Sequence, residues 1–162
     1  MDSDPGRPDR RCAGCGLVVA GGAEGCQARM DEILALHFGN AAYFGVHRLF
    51  VDACAVQHPE RYCVSFKSLA AHLAHLCWSL EQGGSKAVPS AAIRRWVERH
   101  PHHEKPPLPD FRGELTIAEV AGAPGPAEHH RAVERWARAA WEAHARLHAT
   151  VRGWVRSALH GG

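Results

Sequence analysis

Three cysteines near the amino terminus constrain this chain more than any other feature. Cys12, Cys15 and Cys26 follow the pattern C-x2-C-G-x9-C. A pair of thiolates two residues apart can hold one zinc ion, and Gly16 permits the tight turn that brings backbone N–H groups towards the sulfurs. The spacing therefore predicts a metal, with zinc as the cofactor, rather than a disulfide as the local constraint.

The composition excludes several classes of protein. A chain of 162 residues suits one domain that buries a core without disulfides. Nineteen basic and seventeen acidic residues give a net charge of +2, and no segment has the length of a membrane span, so we expect neither nucleic acid nor a membrane as a partner. The polar start of the chain lacks an apolar export core, which predicts a cytoplasmic protein. In that compartment a C-x2-C pair is more often metal-binding or redox-active than disulfide-bonded.

The apolar periodicity predicts an all-α fold, a bundle of four main helices with an N-terminal cysteine-rich zinc loop. We expect a disordered tail at 1–11 and a single helical domain at 12–162, made of the zinc-binding loop at 12–26 and the helical bundle at 27–162. Helices are expected at about 27–38, 41–57, 65–82 and 127–159, with a shorter helix at about 90–100 and no strand. A proline-rich loop or strap at 101–115 precedes a short helix that Thr116 and Glu119 cap.

Three cysteines leave tetrahedral zinc one ligand short. His37 is a poor fourth ligand, because an intact helix rises about 1.5 Å per residue and would place it roughly 16 Å from Cys26. A short turn at 39–40 should fold the second helix back antiparallel to the first and bring its end beside Cys26. His58 is therefore the first candidate for the fourth ligand, Cys54 the second and a water molecule the third.

The thirteen histidines suggest a second site inside the bundle. His47 and His148, joined by His72 or by His144, could enclose a metal with an open coordination position, suited to activating water or a thiol. The alternative is that these are core histidines, hydrogen-bonded to the backbone or to a carboxylate. The sequence leaves both interpretations open.

Other polar residues carry weaker expectations. Asp52 is expected to form an ion pair between helices, or to hold a metal-binding side chain in position through a hydrogen bond. We expect solvent exposure for His75 and for the pairs His102–His103 and His129–His130.

Five strings of the chain resemble an uncharacterised bacterial family, the domain of unknown function 5946. They are CAGCG at 12–16, GC at 25–26, YFGVHRLFVDACAVQHP at 43–59, AHL at 71–73 and HATVRGW at 148–154. The resemblance marks as family positions Cys12, Cys15, Cys26, His47, Asp52, Gln57, His58, His72 and His148. The family brings no established activity with it.

The chain departs from the family pattern at Cys54, where the family has tyrosine, and His144 lies outside the pattern. A looser similarity is to DinB-like four-helix metalloproteins, whose three histidines come from a second helix and the last helix. That similarity rests on fold-level analogy.

Three functions are compatible with these patterns. The first is a small zinc-binding helical protein whose cysteine site is structural and whose bundle binds an unknown protein or small-molecule partner. The second is a metal-dependent hydrolase or a thiol or group transferase with a histidine-lined pocket. The third is a redox or metal sensor that responds through its zinc thiolates. We favour the first, because a structural zinc needs no further assumption.

Overall fold

A short β-hairpin precedes a mostly helical body in the computed structural model, which describes residues 6–83 and 86–161. Strands β1 (Asp9–Arg11) and β2 (Val18–Ala20) pair antiparallel, with Arg10 opposite Val19. The turn between the strands holds the first two cysteines of the motif. The hairpin therefore serves mainly to present that turn.

Helices make up most of the chain after the hairpin. In chain order they are α1 (Ala23–Gly39), α2 (Ala41–Phe44), α3 (His47–Gln57), α4 (Pro59–Tyr62), α5 (Phe66–Cys77), α6 (Ser90–Arg99), α7 (Ile117–Ala121), α8 (Pro126–Ala143) and α9 (His148–His160). A π-helical turn, Trp78–Gln82, extends α5, and a 3-10 turn, Ala145–Leu147, joins α8 to α9. No helix in the described part of the chain combines the length and apolarity needed to cross a bilayer.

Side-chain caps fix where several helices begin. Ser65 accepts a hydrogen bond from the Ser68 N–H, and the Ser68 side chain accepts one from the Ser65 N–H, which forms a capping box at the start of α5. Thr116 and Glu119 form a second capping box at α7, as the sequence predicts. Asn40 caps α2 through the Ala42 N–H.

The core lies where α3 packs against α5 and α8, and where α5 also meets α6 and α9. Fully buried apolar side chains meet there, among them Phe50, Leu69, Leu73, Trp136 and Trp141. Burying each such side chain contributes roughly 2–3 kcal/mol. The carboxyl end of α3 is therefore held on a well-packed frame.

Residues 9–11 and 18–20 correct the all-α prediction, because they form the sheet. Residues 9–11 also correct the disordered tail predicted for 1–11, because they form β1. Residues 1–5 of that tail lie outside the described residues. Strands of three residues are too short to show an alternating pattern, so the sequence gives no signal for them. The Cys12 N–H donates to the Leu17 carbonyl, which brings the two strands together around the cysteine turn.

Two of the predicted helices are each divided in two. The helix predicted for 41–57 breaks between α2 and α3, where a Cβ on Gly45 would lie 3.1 Å from the His130 ring. The helix predicted for 127–159 breaks after α8, where the His144 and Leu147 N–H groups bond three residues back, to Trp141 and His144. The first helix begins at Ala23, earlier than predicted.

Candidate metal centre

Four side chains form a compact cluster between the hairpin, α1 and the end of α3. The donor atoms of Cys12, Cys15, Cys26 and His58 all lie within 4.8 Å of one another. The Sγ atoms of Cys15 and Cys26 are 3.6 Å apart, and Cys26 Sγ lies 3.4 Å from His58 Nε2. A tetrahedral zinc site with Zn–S near 2.3 Å and Zn–N near 2.05 Å would place two sulfurs about 3.8 Å apart and a sulfur and a nitrogen about 3.6 Å apart. The four residues could therefore hold a metal ion, and these two distances are compatible with zinc.

The backbone positions each sulfur. Gly16, with φ at +82°, donates its N–H to the Cys12 carbonyl and closes the turn that brings Cys12 and Cys15 together. Cys26 lies near the start of α1, which places its sulfur beside the cysteine turn. Cys12 and Cys26 are buried and Cys15 is partly exposed, so one edge of the cluster faces solvent.

His58 is oriented by the backbone of its own helix. Its Nδ1–H donates to the Cys54 carbonyl at 2.9 Å, and its Nε2 is directed at the sulfurs. Metal-bound histidines commonly have their other ring nitrogen held in this way. The antiparallel return of α3 thus brings His58, the first predicted fourth ligand, into the cluster.

Cys54, the second candidate, contributes its carbonyl rather than its thiol. Its Sγ is not among the clustered donor atoms. Burial raises the pKa of the Cys54 thiol well above its usual value, so the neutral thiol is favoured.

Gly14 is required by the packing of the cysteine turn against His58. A Cβ on Gly14 would overlap the His58 ring and would lie 3.1 Å from the Gln57 carbonyl. Sequence reasoning singled out Gly16 and missed Gly14, because this constraint comes from a residue 44 positions further along the chain.

The thiols of Cys15 and Cys26 differ in pKa when no metal ion is bound. Hydrogen bonding from Cys26 lowers the pKa of Cys15 to about 4, and the same contact raises the pKa of Cys26. One thiolate therefore forms readily, and its negative charge opposes ionisation of the next thiol. A bound dication would remove that opposition, because it favours the deprotonated form of every ligand.

The strap, the loop at 101–115, packs against the cysteine turn. Arg112 Nη1 donates to the carbonyls of Gly14 and Gln57, both at 3.4 Å, and the guanidinium also pairs with Glu60. The Gln57 amide donates to the carbonyls of Arg112 and Leu115 at 3.0 and 2.8 Å. The proline-rich segment before α7 is therefore fastened to the cysteine turn and to the end of α3.

The second predicted metal set is not brought together. His47 Nδ1 lies 3.3 Å from His37 Nδ1, His72 Nδ1 donates to Asp52 at 2.8 Å, and His148 donates to a backbone carbonyl of α8. Within residues 6–83 and 86–161, the cluster of Cys12, Cys15, Cys26 and His58 is the one group of three or more His, Cys, Asp or Glu donors close enough to share an ion. Asp52 accepts this hydrogen bond from another helix, whereas its ion pair with an arginine, Arg48 at 3.4 Å, lies within α3 rather than between helices.

Several other histidines have surroundings that differ from the sequence prediction. His75 and His129 are buried rather than solvated. His129 Nε2 lies 2.8 Å from His37 Nε2, and His75 packs beside Asp52. His144, by contrast, is buried as its place on the apolar side of the last predicted helix indicates, and it donates to the Ala140 carbonyl. The contacts of His75 and His129 join elements distant in sequence, so single-helix patterns could not reveal them.

Comparison with known proteins places the chain in a family. A family model described as "Family of unknown function (DUF5946)" matches residues 10–145. The chain belongs to this family. The resemblance expected from the sequence is thereby confirmed, and the match includes all four cluster residues, whereas His148 lies beyond it. No curated protein and no solved structure matches the chain.

Proposed function

We propose that this member of DUF5946 is a zinc protein in which Cys12, Cys15, Cys26 and His58 bind one ion for a structural purpose. The single observation that carries this proposal is that the four donor atoms lie within 4.8 Å of one another, with two of the distances close to the edges of a zinc tetrahedron. Four protein donors fill the coordination sphere, and a filled sphere is typical of structural sites.

The ion would link the hairpin, the start of α1 and the end of α3. The hairpin, the start of α1 and the end of α3 each supply part of the site, and none of the small strands buries an apolar face of its own. Arg112 would add to this link, because it donates to the Gly14 carbonyl in the cysteine turn and to the Gln57 carbonyl at the end of α3. A thiolate site needs reduced cysteines, so we expect the protein to work in a reducing compartment such as the cytoplasm.

The helical body would then serve for binding rather than for metal chemistry. The zinc site fixes the start of the chain and the strap against α3, and the remaining surfaces and cavities are free for a protein or a small molecule. This part of the proposal rests on the closed character of the site.

Elemental analysis of protein purified without a tag or a chelator tests the proposal. We expect one zinc per chain in the wild type and a loss of zinc in Cys12→Ser and His58→Ala. Cys63→Ala removes a buried thiol outside the cluster, and His102→Ala removes an exposed imidazole, so both should retain one zinc. Absence of zinc from the wild type, or retention in both cluster variants, would contradict the assignment.

A redox-sensing role is a second candidate, favoured by the partial exposure of Cys15. A groove of about 430 Å³ opens beside the cysteine turn, between residues 11–16 and 110–116. Hydrogen peroxide would oxidise two thiolates to a disulfide and would be reduced to water, with release of the ion. Release of one zinc by a stoichiometric amount of peroxide, reversed by a thiol reductant and added zinc, would support this role; a cluster inert to peroxide would exclude it.

A further inference from the structure

A cavity lies between α1, α3, α4 and α5. Its volume is about 170 Å³, and its walls are mostly apolar, with contributions from Met30, Leu34, Phe50 and Val51. An apolar cavity of about 150 Å³ is large enough to hold a molecule of benzene. The space therefore suits a ligand of about one six-membered ring.

Two of the three nitrogen- or oxygen-bearing side chains at this cavity already donate to another side chain. The Tyr62 hydroxyl donates to Gln27 Oε1 at 2.6 Å, and the Gln27 amide donates to Asp31 at 2.8 Å. The third, His72, is partly exposed, and its Nδ1 is bonded to Asp52. His72 Nε2 has no hydrogen-bond partner among the described residues, which leaves this nitrogen for a ligand.

Asp52 determines which nitrogen of His72 carries the proton. The carboxylate is fully buried on α3 and accepts from His72 Nδ1 at 2.8 Å. His75 does not compete as a donor through Nδ1, because Arg48 Nε donates to that nitrogen at 3.1 Å. His72 is thus held with Nδ1 protonated and with a free lone pair on Nε2, the arrangement in which a carboxylate orients an imidazole as an acceptor or base.

We propose that this cavity binds a small, ring-sized apolar molecule that carries one hydrogen-bond donor, of the phenol or thiol type, and that His72 Nε2 accepts the donated hydrogen bond. The inference extends the ligand-binding part of the proposed function and does not depend on the zinc ion. The apolar walls would contribute the affinity, and His72 would select the ligand that has a donor.

Two fluorinated probes of nearly the same shape test the proposal by ¹⁹F NMR titration. In 4-fluorophenol a hydroxyl occupies the position that a methyl group has in 4-fluorotoluene. We expect wild-type protein to bind both and to bind 4-fluorophenol at least about fivefold more tightly, which is the effect of one net hydrogen bond.

Variants assign that preference to residues. His72→Phe keeps a ring but removes the acceptor, so the preference for 4-fluorophenol should disappear while 4-fluorotoluene still binds. Val51→Trp should fill the cavity and abolish binding of both probes. His102→Phe, at an exposed position outside the cavity, should change neither affinity.

Three results would overturn the proposal: no binding of either probe, equal affinity of the wild type for both, or a preference that persists in His72→Phe. The affinities of the wild type for the two probes test the proposal even where a variant fails to fold. Thermal unfolding shows whether each variant is folded. Zinc content measured on the same samples separates this proposal from the zinc site, because either can fail while the other holds.

Discussion

At the scale of single residues, the cluster depends on close contacts that fix the position of the His58 ring. The Gly14 Cα faces the His58 ring, whose Nδ1 is fixed by the Cys54 carbonyl. A methyl group at position 14 must therefore move either the cysteine turn or the imidazole.

Gly14→Ala should weaken zinc binding by about 10- to 100-fold, the usual effect of disturbing a residue that orients a metal ligand. Chelator competition with a chromogenic indicator measures the affinity. Gly39→Ala is the matched control, because a Cβ there would meet nothing within 4 Å. Equal zinc affinity in both variants would show that the contact with His58 does not matter.

The sequence predicts the four cluster residues but not the groups that hold them in place. The cysteine spacing and the rise of a helix suffice to predict that His58 returns to Cys26. The roles of Gly14, Arg112 and the Cys54 carbonyl depend on distances between segments that no local pattern encodes. The burial of His129 escapes sequence reasoning for the same reason.

Another group at this scale, His37, should make stability depend on pH. Burial, with the nearby His129 and His47, lowers its pKa from 6.5 to about 4. Between those values the unfolded chain binds more protons than the folded one, so stability present above pH 6.5 is lost as the pH falls towards 4.

Acidification from pH 7 to pH 5 should therefore cost the folded state about 2 kcal/mol through His37. Urea unfolding of the wild type and of His37→Gln at both pH values isolates this contribution, since the zinc site is common to both proteins. His102→Gln, at an exposed position, should lose as much stability as the wild type. An equal loss in His37→Gln would contradict the expectation.

At the scale of secondary-structure elements, the sequence predicts the existence of the long helices better than their ends. Apolar stripes indicate α3, α5, α6 and α8, because these helices bury one face. The breaks at 45–46 and 144–147 and the strands beside the cysteines arise from packing between elements and from short hydrogen-bonded turns. Periodicity carries no information about either.

The contact between α3, α8 and the strap should depend on Gln57. Its Oε1 accepts from Trp136 Nε1 at 2.9 Å, and its amide holds two strap carbonyls, so Gln57→Leu leaves several buried polar groups without partners. We expect a loss of roughly 2–5 kcal/mol in urea unfolding with zinc in excess. Gln82→Leu, at an exposed position, should change stability by no more than about 0.5 kcal/mol. A loss of similar size in both variants would remove Gln57 from this role.

At the scale of the whole molecule, one ion would hold the hairpin to a body that packs without it. Removal of zinc by a chelator should lower the melting temperature by roughly 10 °C, as expected for the loss of a tightly bound ligand from a protein of this size. Hydrogen exchange should rise at residues 9–20 and 57–63 and stay slow in α5 and α8, whose buried faces form the core. Uniform exchange along the chain, or no change on chelation, would contradict a local structural role.

The zinc K-edge absorption spectrum of the purified protein tests the central claim most directly, because it reports the atoms bound to the ion. Three sulfurs at about 2.3 Å and one imidazole nitrogen at about 2.05 Å are the shell that Cys12, Cys15, Cys26 and His58 would supply. Loss of the nitrogen in His58→Ala would complete the assignment. A shell dominated by oxygen, or one with fewer than three sulfurs in the reduced wild type, would contradict it.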